Sequence, residues 1–330
     1  EFCTLGHAAA ALIFSIGFVW RGWRVAGWAT LSAGALSIAQ ALSPALIGPT
    51  LDGTFPIWGG LLIFATVAVF LFSASTIIRR GATNISIAEG LSAASVIVVL
   101  AGVFVALRWI AEGKVGVALD NFTEASLRVL ALMAAGLTLL PRVHETPGLI
   151  GAWRGHVLLA LGITYALVVA GLGLNPWWGG PGHGVINGAP TFNTLAVAFA
   201  APAALAFAAA NRLYIRQRTF GRIYAVAGGV LALIWLIMEI RHAFHDAEMA
   251  SPETGLFESA CYAIAFLAFA LMVAVVARMR ARRTLIRPFT EDLMHSMRSV
   301  SWAAIGASAF ILLAAQHPIW GAQDSDASNA

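Results

Sequence analysis

Long apolar stretches broken by short polar ones set the rhythm of this chain. The apolar runs are Leu5–Trp20, Val25–Leu42, Ile57–Ile78, Ile85–Leu107, Ala125–Leu140, Val157–Leu174, Phe192–Ala210, Ile223–Met238, Ala260–Val276 and Val300–Ala315. A helix needs about 20 mainly apolar residues to cross a bilayer, so the pattern predicts about ten spanning helices. The runs are long, rich in Ala and Leu, and do not alternate, which argues against strands. The first two are short and are joined only by Arg21-Gly-Trp-Arg24. Burial or tilt would accommodate them as well as simple spanning.

The polar breaks alternate in charge. Counted from the first, the odd-numbered loops hold 16 of the 20 Lys and Arg residues. The remaining four are Arg108, Lys114, Arg128 and Arg241. Cytoplasmic loops carry the basic excess, so the odd loops are expected inside and both ends of the chain outside. Dropping one helix would put basic clusters on both faces, which supports a count of ten. Trp20, Trp23, Trp28, Trp58, Trp109, Trp153, Trp177, Trp178 and Trp320 fall near run ends, where the amphipathic indole suits the membrane–water boundary.

Composition agrees. The sequence is 59% hydrophobic and 11% charged, with a mean hydropathy of +0.82. A soluble domain carries about a quarter charged residues; only a lipid-facing surface dispenses with them. The +4 net charge does not indicate nucleic acid as a partner, because the basic residues lie in short clusters between apolar runs. Cys3 and Cys261 are too few for a disulfide scaffold or a thiolate metal site. An apolar run starts almost at once after Glu1 without a basic n-region or cleavage site, and the start reads as truncated. The polar stretch at 322–330 is expected to be disordered.

The helices repeat in groups of four, a to d. Helix a ends at Ser43-Pro44, at Asn175-Pro176 and at His317-Pro318; helix b opens at Pro56 and again at Pro190. Helix c ends at Arg108 and at Arg241, and helix d opens at Glu124 and at Glu258. These four markers recur at separations of 132 to 134 residues. The expected organisation is a helix at 1–22 like the last of a preceding repeat, four-helix units at 23–141 and 142–283, and the first helix of a third unit at 284–321. Four is even, so the units would be parallel rather than inverted repeats. The fold class is all-α, a polytopic transmembrane bundle. Proline explains the breaks: it disfavours helix in the residue before it and costs nothing in the first turn of the next.

Polar chemistry concentrates where helix c of the second unit ends, at Glu239-Ile-Arg-His-Ala-Phe-His-Asp246. On a helix Glu239, His242 and Asp246 share one face, and Arg241 and His245 another. Glu258 opens the next helix, where a carboxylate suits the positive helix end. Arg241 should pair with Glu258, and Arg108 with Glu124 in the first unit, because a hairpin brings each arginine to the glutamate and pairing relieves the cost of a charge near lipid. The outer-face cluster Glu239, Arg241, His242, His245, Asp246 and Glu258 can be read as a ligand site or as helix capping. The spacing of His242, His245 and Asp246 matches no specific metal site, and no cofactor is expected. No Asp, Glu, Lys, Arg or His falls at the centre of a run, which weighs against an ion-coupled transporter. Nucleotide, nucleophile-elbow and zincin motifs are absent.

The run Trp235-Leu-Ile-Met-Glu-Ile-Arg-His-Ala-Phe-His245, followed by Glu258, resembles a family of bacterial multi-pass membrane proteins, domain-of-unknown-function family 2339. Asn175-Pro176, Asn193 with Leu195, and Pro202-Ala203 add to the resemblance, which covers most of the chain and is strongest from Arg154 to Arg278. It implies a long helical array in the bacterial cytoplasmic (inner) membrane and no established activity. The first unit departs from the pattern, since Leu107-Arg-Trp-Ile110 lacks the Phe-His ending. Three functions stay open: binding or transport of an envelope lipid or glycan, a membrane enzyme acting through the outer-face cluster, and a structural partner in envelope assembly. The bilayer is the one partner the sequence names; protein partners are unknown.

Overall fold

The structure, a computed structural model, describes residues 2–81, 85–114, 116, 118–141, 148–179, 186–213, 217–246, 249–251, 255–283, 298–299 and 302–310. It is an all-α bundle. The helices are α1 (Phe2–Arg21), α2 (Arg24–Ala41), α3 (Pro44–Asp52), α4 (Ile57–Gly81), α5 (Ile85–Ala111), α6 (Asn121–Leu139), α7 (Leu149–Tyr165), α8 (Ala201–Leu213), α9 (Arg218–His245) and α10 (Leu256–Arg283). Nine stretches among the described residues are long and apolar enough to cross a membrane. Of the tenth run, 302–310 is helical; the rest, with His317-Pro318 and the polar stretch at 322–330, lies outside the described residues.

The helices reach further than the apolar runs. α5 continues past Leu107 to Ala111, and α7 takes in Arg154 and His156, so Arg154, placed in a loop by the hydropathy pattern, is helical. The prolines also do more than stop helices. α2 ends at Ala41, and Pro44 is the first residue of the short α3; Pro176 likewise opens a single 3-10 turn, Pro176–Trp178, capped by Asn175, whose Oδ1 accepts from the Trp177 N–H at 2.9 Å. Phe192 does not start a helix. It sits in a two-residue antiparallel hairpin, β1 (Gly188–Ala189) with β2 (Phe192–Asn193), ahead of helix b. The hairpin needs Thr191 at φ 68, an uncommon position for a side-chain-bearing residue.

Two compact units emerge, Glu1–Thr164 and Tyr165–Ala330; the division falls at the last residue of α7. In the first unit Phe64, Val67, Leu71, Ala74 and Ile78 recur at steps of three and four along α4 and are buried. They belong to one core with Leu91, Ala94, Val98 and Val105 of α5. Lipid tails are as apolar as leucine, so helix association here depends on close packing and small residues. α6 and α7 illustrate this. A Cβ on Gly155 would lie 2.8 Å from the Leu140 amide nitrogen and 2.9 Å from the Gly136 carbonyl, so only glycine permits the approach. That contact holds α7 in the first unit as far as Thr164. Glu89 adds to it by accepting from Gly148 N at 2.7 Å and Gly151 N at 2.9 Å, capping α7 from the neighbouring helix.

In the second unit two helices are wound in π form, Ala166–Gly173 at the end of α7 and Ala196–Ala200 ahead of α8. π segments are rare and gather at functional sites. α10 packs Tyr262, Phe266 and Ala270 against Leu233, Ile237 and Ile240 of α9 and against Ala304. The Ser308 hydroxyl donates to the Ala263 carbonyl at 3.0 Å. Lipid-facing positions such as Leu62, Phe72, Leu161, Leu172, Ile264 and Leu271 are exposed.

Candidate functional site

In each unit an arginine late in one helix meets a glutamate early in the next: Arg241 of α9 with Glu258 of α10, and Arg108 of α5 with Glu124 of α6. In the second, Arg241 is 1% exposed and Glu258 2%. One guanidinium nitrogen, Nη1, donates to both carboxylate oxygens, at 2.9 and 3.1 Å. Nε donates to the Met249 carbonyl at 3.1 Å, and Nη2 donates to the Ser251 carbonyl. The Trp177 ring lies over the guanidinium, 5.1 Å from its carbon, and stacks on Tyr262. The Tyr262 hydroxyl donates to Glu258 Oε1 at 2.8 Å. Sequence dictates much of this: Arg241 and His245, and Glu258 and Tyr262, are each one turn apart on one helix face.

His245 Nε2 lies 2.7 Å from Arg241 Nη1 and 2.8 Å from Glu258 Oε2. A single ring nitrogen either accepts from the guanidinium or donates to the carboxylate, and cannot do both at once. The rest of the cluster is separate. His242 Nδ1 donates to the Asp246 carbonyl at 3.2 Å. Asp246 closes α9 at φ 46. Glu239 accepts from the Trp235 indole N–H at 3.2 Å and from the Thr191 amide of the hairpin at 3.5 Å. The six clustered residues therefore fall into a buried ion pair with His245 beside it, a helix end at His242 and Asp246, and a half-buried Glu239. Among the described residues no group of three His, Cys, Asp or Glu side chains is placed to hold a metal ion, and both cysteines are free.

The first unit repeats the pair in looser form. Arg108 Nη1 donates to Glu124 at 3.2 Å, but its side chain is 44% exposed. Glu124 also accepts from Arg128, whose guanidinium lies over Phe104 at 5.6 Å. Arg108 and Lys114 share Glu112, at 3.2 and 3.0 Å. The network is open where that of the second unit is closed.

A family model described as predicted membrane protein (DUF2339) matches residues 2–288. The chain belongs to that family. The match spans every described helix from α1 to α10, and the family's description agrees with the nine apolar stretches. No curated protein and no solved structure matches the chain. Family membership places this protein in a membrane and leaves its chemistry to the geometry.

That geometry contains one feature absent from the sequence reading. In the first unit a cavity of about 800 Å³ opens between the ends of α1, α2, α4, α5 and α7. Phe18, Val19, Leu31, Ile87 and Ile150 form its apolar wall, and Arg24 and Trp28 stand at its edge. Five helices contribute, so no local motif announces it. Trp177 and the Met249 and Ser251 carbonyls were equally invisible, because they meet Arg241 only once the helices pack. Tyr262, one turn after Glu258, was within reach of a helical-face argument.

Proposed function

We propose that this protein binds an envelope lipid from within the bilayer, in the cavity of its first unit. The observation that supports the reading is the cavity itself. Its volume lies within the range of about 300–1,000 Å³ typical of ligand sites, and apolar side chains dominate its wall. The outer-face pair Arg241–Glu258 serves in this reading as a clasp for the hairpin between α9 and α10. Every nitrogen of that guanidinium already donates to a protein group, which disfavours an anion receptor or a catalytic group there. The same proposal takes the protein to be a bacterial inner-membrane protein with its basic loops in the cytoplasm, and its four-helix pattern to be an internal duplication.

Gly90 lines the cavity, and a Cβ there would meet only Ile150 Cδ1, at 3.8 Å. Gly90→Phe should therefore fill the space without distorting the helix. Protein purified in mild detergent is expected to carry lipid detectable by native mass spectrometry, and Gly90→Phe to lose it. Equal lipid content in the two would reject the lipid reading.

A further inference from the structure

We propose that the lipid is an anionic glycerophospholipid, its acyl chain against the apolar wall and its phosphate on Arg24; this rests on the lipid reading above. Three observations converge. The first is the division of chemistry within the cavity. Its wall is apolar, whereas Arg24 and Ser86 bring hydrogen-bond donors to it from the starts of α2 and α5. A free phosphate would leave the wall empty, and a hydrocarbon would leave the donors unmatched. A molecule with one anionic and one apolar end satisfies both.

The second is charge balance. Arg21 and Arg80 are the chain neighbours of the lining residues Gly22 and Gly81, and Arg79 precedes Arg80. With Arg24 they are four exposed cations, and among the described residues no carboxylate pairs with any of them. The acid beside the lining residue Gly90 is Glu89, and both its oxygens are committed to the α7 amides. By contrast Arg108, Arg128 and Arg241 each bind a carboxylate. Among the described residues, Arg24 thus gives the cavity positive charge that no carboxylate pairs with, and such charge attracts anionic lipid.

The third is local. α2 starts at Arg24 with no side-chain cap and no acid in its first turn, so the positive end of the helix adds to the arginine's charge. Gly22, at φ +65, supplies the turn that brings Arg24 to the cavity. Trp28, exposed one turn further on, suits the headgroup level.

The full chain, in nanodiscs of equimolar phosphatidylglycerol and phosphatidylethanolamine, is released into mild detergent, and the retained lipids are counted by native mass spectrometry. Wild type should retain phosphatidylglycerol in preference. Arg24→Gln should cut the preference about fivefold, the change that about 1 kcal/mol per basic residue near an anionic surface gives. Inorganic phosphate should not displace the lipid. An unchanged phosphatidylglycerol preference in Arg24→Gln, with lipid still lost in Gly90→Phe, overturns the headgroup assignment alone. Lipid retained in Gly90→Phe overturns the lipid reading beneath it. Should Gly90→Phe not fold, Ile87→Trp fills the same space and reports the same outcomes. Displacement by inorganic phosphate would make the site a phosphate site and also overturn the proposal.

Discussion

Replacing Glu258 by alanine strands a guanidinium that is 1% exposed. Arg241 would keep its bonds to the Met249 and Ser251 carbonyls but lose the Glu258 carboxylate, which takes two hydrogen bonds from its Nη1. Breaking a buried ion pair from one side costs about 3–5 kcal/mol. Arg241→Ala should cost a similar amount, since it leaves Glu258 charged and buried and frees two carbonyls. Arg108→Ala, at a site 44% exposed, should cost about 0–1 kcal/mol. Exchanging the charges, Arg241→Glu with Glu258→Arg, should not restore stability, because a carboxylate at 241 would face two carbonyl oxygens that need a donor. Cys261 stands three residues after Glu258 and is half-buried. Its reaction with a thiol-sensitive dye on heating, in a Cys3→Ser background, reports opening of this hairpin. The reasoning fails if Arg241→Ala and Arg108→Ala shift the melting midpoint equally, or if the charge exchange restores it.

Four further outcomes are expected. Glu89→Ala removes the acceptor for two α7 amides and should destabilise the first unit by about 1–2 kcal/mol, measured by thermal unfolding in detergent; no change would mean water caps the helix equally well. Gly155→Ala, forced against backbone on α6, should cost about 1–3 kcal/mol, whereas Gly6→Ala, with open space around its Cβ, should be neutral in the same assay. The hydrogen bond from Lys114 holds the Glu112 carboxyl below its ordinary value, with Arg108 adding to the effect. A depressed carboxyl stabilises the fold above its unfolded pKa, about 4.3, and loses that contribution as pH falls through the folded value. Lys114→Ala should therefore flatten the acid limb of the stability profile, an effect that salt should also weaken. Topology is checked in intact cells, where an impermeant thiol reagent should label Lys114→Cys and spare Arg218→Cys; equal labelling would reject the assigned sidedness.

The bundle was legible because its physics is one-dimensional. A span shows itself as a run of apolar residues, and the pairing of Arg241 with Glu258 follows from one residue ending a helix and the other opening the next. What could not be read depends on several helices at once. The cavity takes its wall from Phe18, Leu31, Ile87 and Ile150, residues that look like any others in their runs. Helix ends were misplaced for a similar reason. Arg154 and His156 interrupt the apolar pattern, yet α7 runs through them, because Glu89 caps its start and Arg154 donates to the Ser92 hydroxyl at 2.7 Å. The hairpin at 188–193 was hidden by Phe192, whose apolar character suggested the start of a spanning helix although it stands exposed in β2.

The π winding of Ala166–Gly173 sets the angular phase of Asn175 and Trp177 just behind it. Within the second unit, α7 ends in this segment, then Asn175, then Trp177, whose ring covers Arg241. A π segment makes fewer turns than an α-helix of the same number of residues, so rewinding it to α would swing the indole around the helix axis and off the guanidinium. The lid over the buried charge is thus indexed by a helix eight residues long. A change of winding there, with no side chain replaced, would open Arg241 to water.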